Sequence, residues 1–172
     1  EGGVFRGLDG NKDGFITGEE WSAMMSLFAK GESGLFALRA PGEGDITTSH
    51  VAWKQAKGVS GITSPLFYQG RVYVVQDGGR VSCFDAKSGK VIYEQERLGA
   101  EGEYYASPIA ADGRLYFAST RGVVSVAEAG DTLKVIARNK LDDVAMATPA
   151  IADNTLFVRT AGHLWAFGKK GK

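Results

Sequence analysis

A short motif recurs three times in the chain and constrains its fold more than any other feature. Each copy begins with a small hydroxyl residue and a proline, and continues with an apolar run, a turn residue and a second apolar run. The three prolines, Pro65, Pro108 and Pro149, are 43 and 41 residues apart. Proline can begin a strand, because its missing N–H is tolerated there. The chain is therefore expected to fold as similar β units placed side by side.

Each unit contains four short apolar runs, which we interpret as four strands joined by tight turns. Gly70, Gly113 and Asn154 separate the first two strands, and these residue types tolerate a positive φ angle. We predict second strands at Val72–Val75, Leu115–Ala118 and Leu156–Val158, third strands at Leu35–Leu38, Val81–Phe84, Val124–Ala127 and Leu164–Phe167, and fourth strands at His50–Lys54, Val91–Glu94 and Thr132–Ala137.

The predicted fold is mainly β: a partial β-propeller built of four-stranded antiparallel blades. A repeat of about 40–45 residues without helical periodicity is typical of propeller blades. The chain supplies the last two strands of one blade, two full blades and the first three strands of another. Propellers usually close with about four to eight blades, so we expect a fragment of a larger ring. The chain begins at Glu1 without a leader, which we interpret as a cut or processed edge.

The turn between the third and fourth strands of the first full unit carries a family resemblance. Residues Cys83–Tyr93 read CFDAKSGKVIY. They resemble the Ala-x-Asp-x-x-Thr-Gly-Lys-x-x-Trp repeat of pyrroloquinoline-quinone-like (PQQ-like) β-propellers. The resemblance implies a tight turn made by Asp85 and Gly89, and an aromatic residue, here Tyr93, that packs between adjacent blades. Trp53 is the corresponding residue of the preceding copy, whereas no aromatic residue follows the turn of the next copy.

Residues 9–20, DGNKDGFITGEE, match the EF-hand calcium loop at every constrained position. Ca²⁺ prefers six to eight oxygen ligands, and the loop spacing supplies them in order. Gly14 stands where the loop needs a sharp turn. The same residue types can also form a turn without metal. The predicted ligands are the side chains of Asp9, Asn11, Asp13, Thr17 and Glu20 and the backbone carbonyl of Phe15.

An amphipathic helix is predicted after the loop and ends near Lys30 and Gly31. Its apolar residues are spaced i, i+3, i+4 and i+7: Trp21, Met24, Met25 and Phe28. Before the loop, Phe5 and Leu8 suit an entering helix that is weakened by glycine. A single loop is visible, so we expect a weak site, with a dissociation constant of about 10⁻⁴–10⁻³ M. We favour a structural clip over a calcium sensor with a methionine groove.

Three segments follow from these motifs. Residues 1–31 form a helix–loop–helix EF-hand, residues 32–168 form PQQ-like blades, and residues 169–172 are a basic tail. Lys+Arg and Asp+Glu both total 20, and this zero net charge argues against a nucleic-acid partner. No apolar run is long enough to span a membrane. Cys83, the single cysteine, excludes a disulfide framework and is expected in the core.

No catalytic residue is predicted, and we expect a protein that is not an enzyme. His50 and His163 have no cysteine, histidine or carboxylate at metal-site spacing. Tyr104 and Tyr105 either line a propeller face or, as we prefer, pack between blades. Quinone-dependent dehydrogenases of the resembled fold use a complete ring, a central Ca²⁺ site and a catalytic aspartate. Asp85 matches the repeat's turn, so no active-site residue is carried over.

The resemblance implies a binding or scaffolding propeller, similar to bacterial outer-membrane-assembly propellers. Its partner would be an unknown protein or small molecule on the propeller face, and Ca²⁺ its only cofactor. The implied location is the bacterial periplasm or outside the cell, where millimolar calcium suits a weak loop. The alternative is the C-terminal segment of a quinone-dependent oxidoreductase whose cofactor site lies upstream.

Overall fold

The computed structural model of the chain describes residues 11–30, 34–46 and 48–168. The chain forms two compact units, Glu1–Ser33 and Gly34–Lys172. The first contains one described helix, and the second contains thirteen described strands. Within the described ranges, no helix is long and apolar enough to cross a membrane.

The helix of the first unit, α1, spans Gly18–Lys30. It begins with a capping box, in which the backbone N–H of Glu20 donates to Thr17 Oγ1 (3.2 Å) and that of Thr17 donates to Glu20 Oε2 (2.9 Å). Trp21 and Met25, two residues of the predicted apolar stripe, are exposed. The predicted entering helix, with Phe5 and Leu8, lies outside the described residues.

The second unit consists of four antiparallel sheets whose strands follow one another in chain order. The first sheet has two strands, the second and third have four each, and the fourth has three. The strands are β1 (Leu35–Leu38) and β2 (Val51–Gln55); β3 (Leu66–Tyr68), β4 (Arg71–Gln76), β5 (Arg80–Asp85) and β6 (Val91–Arg97); β7 (Ile109–Ala111), β8 (Arg114–Ala118), β9 (Val123–Glu128) and β10 (Lys134–Lys140); β11 (Ala150–Ala152), β12 (Thr155–Arg159) and β13 (Leu164–Gly168).

This arrangement confirms the predicted mainly β fold and the division of strands among four blades. The second and third strands of every blade match their predicted positions to within one residue at each end. The fourth strands differ more: β6 continues to Arg97, and β10 spans Lys134–Lys140. The shift of β10 follows from its pairing, because Lys134 lies opposite Glu128 and the intervening residues form the connection.

The turns between the first and second strands of each blade have the backbone that their residue types predicted. Gly70, Gly113 and Asn154 have φ angles of 75°, 72° and 57°. The residue before each of them also has a positive φ, so each loop has two left-handed central residues. Such two-residue loops match the twist of paired strands.

The core of the second unit lies between neighbouring sheets. The largest buried cluster joins Tyr73, Cys83 and Tyr93 of the second sheet to Leu115 and Phe117 of the third. A smaller cluster between the third and fourth sheets contains Ala118, Val124 and Val158. Cys83 is fully buried, as expected from the sequence, and burial raises the pKa of its thiol to about 12.

Candidate functional site

The loop before α1 turns sharply at Gly14, whose φ angle is 86°. An added Cβ at Gly14 would meet nothing within 4 Å, so the backbone angle itself favours glycine here. The side chains of Asn11 and Asp13 accept backbone hydrogen bonds from residues further along the loop. Asn11 Oδ1 accepts from the Asp13 N–H (3.0 Å), and Asp13 Oδ1 accepts from the Phe15 N–H (2.8 Å).

The Glu20 carboxylate links the two ends of the described loop. Its Oε1 accepts a hydrogen bond from the Asn11 N–H (3.2 Å), and its Oε2 accepts from Thr17 Oγ1 (3.0 Å) as well as from the Thr17 N–H. Asn11 Nδ2 donates to Asp13 Oδ2 (2.9 Å). Four of the six predicted ligand residues, Asn11, Asp13, Thr17 and Glu20, are thus joined in one network.

The chemistry of this loop fits calcium. Every predicted ligand atom is an oxygen, which is what a hard cation such as Ca²⁺ prefers. Asp9, the predicted first ligand, lies outside the described residues. Across residues 11–30, 34–46 and 48–168, no group of three or more histidine, cysteine, aspartate or glutamate side chains is arranged to hold a metal ion. The described contacts also suffice for a capped turn without metal, so calcium binding stays a prediction.

The turn at Asp85 has the geometry that the family resemblance implied. Asp85 Oδ1 accepts hydrogen bonds from the hydroxyl of Ser88 (2.6 Å) and its N–H (2.8 Å), and these bonds lower the pKa of Asp85. Gly89 has a φ angle of 71°, and an added Cβ there would lie 2.6 Å from the Trp53 ring. Trp53 Nε1 donates to the Ala86 carbonyl oxygen (3.0 Å). Trp53 therefore connects the first sheet to the second, and Asp85 has a structural role in the turn.

Asp143 forms a contact that sequence spacing did not reveal. It follows β10 and accepts hydrogen bonds from the N–H groups of Gly162 and Val144, both at 2.8 Å. The bond from Gly162, followed by that from the Thr160 hydroxyl, lowers the pKa of Asp143 to about 2. His163 Nδ1 lies 3.6 Å from its carboxylate. Sequence spacing predicted no acidic partner for His163, because Asp143 lies 20 residues away and meets it only through packing of the fourth blade.

A chain of hydrogen bonds connects the starts of three blades. The Ser64 N–H donates to Ser107 Oγ (2.9 Å), and the Ser107 N–H donates to Thr148 Oγ1 (3.0 Å). The residues two positions before these three are large, apolar and exposed: Ile62 (62%), Tyr105 (42%) and Met146 (57%). We call these three residues the apolar rim. Of the two neighbouring tyrosines, Tyr104 is buried in the core as expected, and Tyr105 belongs to this rim.

An open groove of about 1070 Å³ lies among the loops that lead to Tyr105 and Met146. Side chains of both charges line it, including Glu101, Arg121 and Asp142. In protein–protein interfaces, an apolar and aromatic centre is commonly surrounded by a polar rim.

The comparison that decides the family covers the chain from the β1–β2 connection to the first residues of β10. Residues 43–135, more than half of the chain, match the family described as outer membrane protein assembly factor BamB. The chain belongs to the BamB family. No curated protein sequence matches the chain significantly.

Solved structures agree with a BamB-like fold. BamB from Moraxella catarrhalis superposes with a TM-score of 0.60 at 20% identity, covering 79% of this chain and 40% of that one. The chain thus spans two fifths of the length of that BamB. The computationally designed protein Ika4 gives a TM-score of 0.56 at 13% identity, covering 72% of this chain and 76% of that one. Ika8, also designed, gives 0.55 at 15% identity, with 72% and 38% covered. At these identities the matches show the fold alone.

Proposed function

We propose that this chain is a non-catalytic, calcium-binding part of a BamB-like propeller that binds another protein. The observation that carries the proposal is membership of the family described as outer membrane protein assembly factor BamB. An assembly factor acts by contacting other proteins, and the apolar rim offers a surface for such contact. Ile62, Tyr105 and Met146 occupy equivalent positions, so one partner could contact three blades together.

In this proposal, calcium is held by Asp9, Asn11, Asp13, Phe15, Thr17 and Glu20. The bound cation would supply positive charge to balance the carboxylates of the loop. Glu20 stands in the first turn of α1 and already accepts hydrogen bonds from Asn11 and Thr17. A cation at its carboxylate would therefore fix the loop to the helix, which is the role of a structural clip. The bacterial periplasm or the extracellular space, where we place the protein, suits a weak site of this kind.

The absence of catalysis is part of the proposal. It is supported by three titratable groups that have structural roles. Asp85 stabilises a turn, and Asp143 connects two loops. The Cys83 thiol is buried and has a pKa of about 12. A nucleophilic cysteine needs a lowered pKa and access to solvent, and Cys83 has neither. Absorbance of a quinone bound to the intact protein would support the oxidoreductase alternative instead.

Calcium titration by calorimetry tests the metal site. We expect one site with a dissociation constant of about 10⁻⁴–10⁻³ M, weakened at least about tenfold by Glu20→Gln. Glu19→Gln is the matched control, because Glu19 is the neighbouring glutamate and not a predicted ligand. Absence of binding, or equal losses in both variants, would contradict the calcium proposal.

Site-specific photocrosslinking in the native cell envelope tests the protein-binding role. A photoreactive residue at Tyr105 or Met146 should give a discrete adduct with another protein, since both side chains are exposed on the apolar rim. The same residue at Val91, an exposed apolar position on β6 outside the rim, is the control. Adducts that are equally abundant from Val91, or missing from both rim positions, would argue against the rim as a docking surface.

A further inference from the structure

At one position of the repeat, the space between the third and fourth sheets has no aromatic side chain where the two preceding intersheet spaces have one, although Tyr116 and Trp165 pack into the same space. The strand register makes the three positions equivalent. Trp53 lies opposite Ala37, Tyr93 lies opposite Cys83, and Ala137 lies opposite Val126. Trp53 packs against Gly89 of the second sheet, and Tyr93 is buried in the cluster between the second and third sheets. At the third position the side chain is a single methyl group.

A groove of about 580 Å³ lies between the third and fourth sheets, beside Arg138, Asn139 and Lys140 of β10. Its apolar lining consists of Val124, Leu141, Leu156 and Phe167. The repeat places these residues in correspondence with Val81, Leu98, Leu115 and Ala127, which all belong to the buried cluster that contains Tyr93.

The leucines are less buried at the position without the ring, where the fourth sheet also has three described strands instead of four. Leu98 and Leu115 are fully buried in the cluster that contains Tyr93, whereas Leu141 and Leu156 are only partly buried. Phe167 is 46% exposed. The groove is therefore lined by residues that correspond to those around Tyr93, with Phe167 in place of Ala127. No aromatic side chain of β10 fills it.

The charged side chains beside the groove indicate which charge a bound ligand should carry. Arg138 and Lys140 stand at its rim, and none of the described lining residues is acidic. Lys140 is paired with Asp142 (2.6 Å). Arg138 donates from Nε to the Leu98 carbonyl oxygen (2.6 Å), which is a neutral acceptor, and no ion pair joins it to an acidic side chain among the described residues. An acidic residue beside the ring would complement this charge.

We propose that this groove binds an aromatic side chain of a partner protein, flanked in the partner by an acidic residue. The volume is within the range of about 300–1,000 Å³ that is usual for ligand sites, so it accommodates a ring and part of the adjoining backbone. The proposal rests on the protein-binding role proposed above and adds a second contact, separate from the apolar rim.

Peptide titration followed by methyl NMR tests the groove in the intact protein. The probes are the blocked tripeptides Asp-Trp-Asp, Lys-Trp-Lys and Asp-Ala-Asp. We expect Asp-Trp-Asp to shift the methyl resonances of Leu141 and Leu156, Lys-Trp-Lys to bind at least about fivefold more weakly, and Asp-Ala-Asp to leave them unchanged. No shift at either leucine with about 10 mM Asp-Trp-Asp would overturn the proposal.

Substitutions at position 137 provide a second test of the groove proposal. Ala137→Tyr restores the ring found at Tyr93 and should weaken Asp-Trp-Asp binding at least about tenfold. Ala137→Leu, a smaller change, should weaken it less, and it keeps the series informative if the tyrosine variant folds poorly. Ile136→Tyr, which adds the same ring at the adjacent exposed position, should bind like the wild type. Equal binding by wild type and Ala137→Tyr would overturn the proposal.

The two proposals fail separately. Ala137 is neither a rim residue nor a predicted calcium ligand, so Ala137→Tyr should leave calcium binding and crosslinking through Tyr105 unchanged. Loss of the groove signal with intact crosslinking at the rim would refute the groove alone. Absence of crosslinking at the rim with groove binding intact would refute the rim as the partner's docking surface.

Discussion

At the scale of single residues, Asp143 illustrates how one carboxylate can join two loops. It accepts hydrogen bonds from Gly162 in the β12–β13 turn and from its own neighbour Val144. Gly122 approaches it so closely that an added Cβ would overlap the Asp143 backbone. The third and fourth blades therefore meet at a tightly packed point whose electrostatics depend on one ionised group.

The stability of the protein should depend on pH through Asp143. Its pKa in the folded state, about 2, is below the ordinary value of 3.8. The ionised carboxylate therefore stabilises the fold fully above about pH 4, and this contribution is lost as the pH falls toward 2. Urea unfolding at several pH values should show Asp143→Asn to be less stable than the wild type at pH 6, with a difference that shrinks below pH 4.

Asp112→Asn is the control for this experiment, since Asp112 is an exposed residue in the β7–β8 turn. The difference in unfolding free energy between Asp112→Asn and the wild type should not shrink below pH 4 as it does for Asp143→Asn. A stability difference for Asp143→Asn that stays constant from pH 6 to about pH 2 would contradict the assignment of a lowered pKa.

At the scale of elements, the turns of the blades divide into two kinds. In one kind, a glycine is needed only for its backbone angle: Gly113 has a φ of 72°, and its added Cβ would meet nothing within 4 Å. In the other, a glycine also makes room for the neighbouring sheet: Gly89 has a φ of 71° and lies against the Trp53 ring. The sequence shows a glycine in both places, and the packing separates them.

Alanine substitutions should distinguish these turns. Gly113→Ala should lower the free energy of unfolding by about 1 kcal/mol through the left-handed backbone alone. Gly89→Ala should lower it by about 2–3 kcal/mol, because the added methyl group must also displace the Trp53 ring. Urea denaturation measures both values, and intrinsic tryptophan fluorescence should change only in Gly89→Ala. Equal losses would mean that the Trp53 contact adds no constraint.

The helix α1 is a case in which two local explanations coincide. Thr17 and Glu20 form a capping box, which is a sequence signature of a helix N-terminus with or without metal. The same Glu20 is the last predicted ligand of the calcium loop. The described contacts are compatible with both roles, and the Glu20→Gln and Glu19→Gln titration separates them.

At the scale of the whole molecule, the chain provides an arc of sheets that belongs to the BamB family. Its two units have different tasks in the proposed function. The first would bind calcium, and the second would present two surfaces to a partner: the apolar rim and the groove beside Phe167. Both surfaces arise from positions that repeat from blade to blade. The rim repeats with apolar residues in all three copies, whereas the groove lies beside the described copy that lacks its aromatic residue.

The sequence by itself determined the number, order and approximate bounds of the strands. It could do so because strand periodicity and turn chemistry are local: the apolar runs, Gly70, Gly113 and Asn154 act on their immediate neighbours. It also singled out Asp85, Gly89 and Trp53 through the family repeat, and their geometry agrees. The spacing of the calcium loop is equally local and gave a complete set of candidate ligands.

The tertiary structure alone decided which surfaces are exposed and which spaces are filled. The Asp143–His163 contact and the bond from Ser107 to Thr148 join residues 20 and 41 positions apart. The missing aromatic after Gly130 was visible in the sequence, but the groove it leaves was not. Such features depend on how adjacent sheets pack and on their register, which shifts at irregularities such as that between Val135 and Ala137. Packing across blades brings together residues that no local pattern relates, and for that reason only the folded chain shows them.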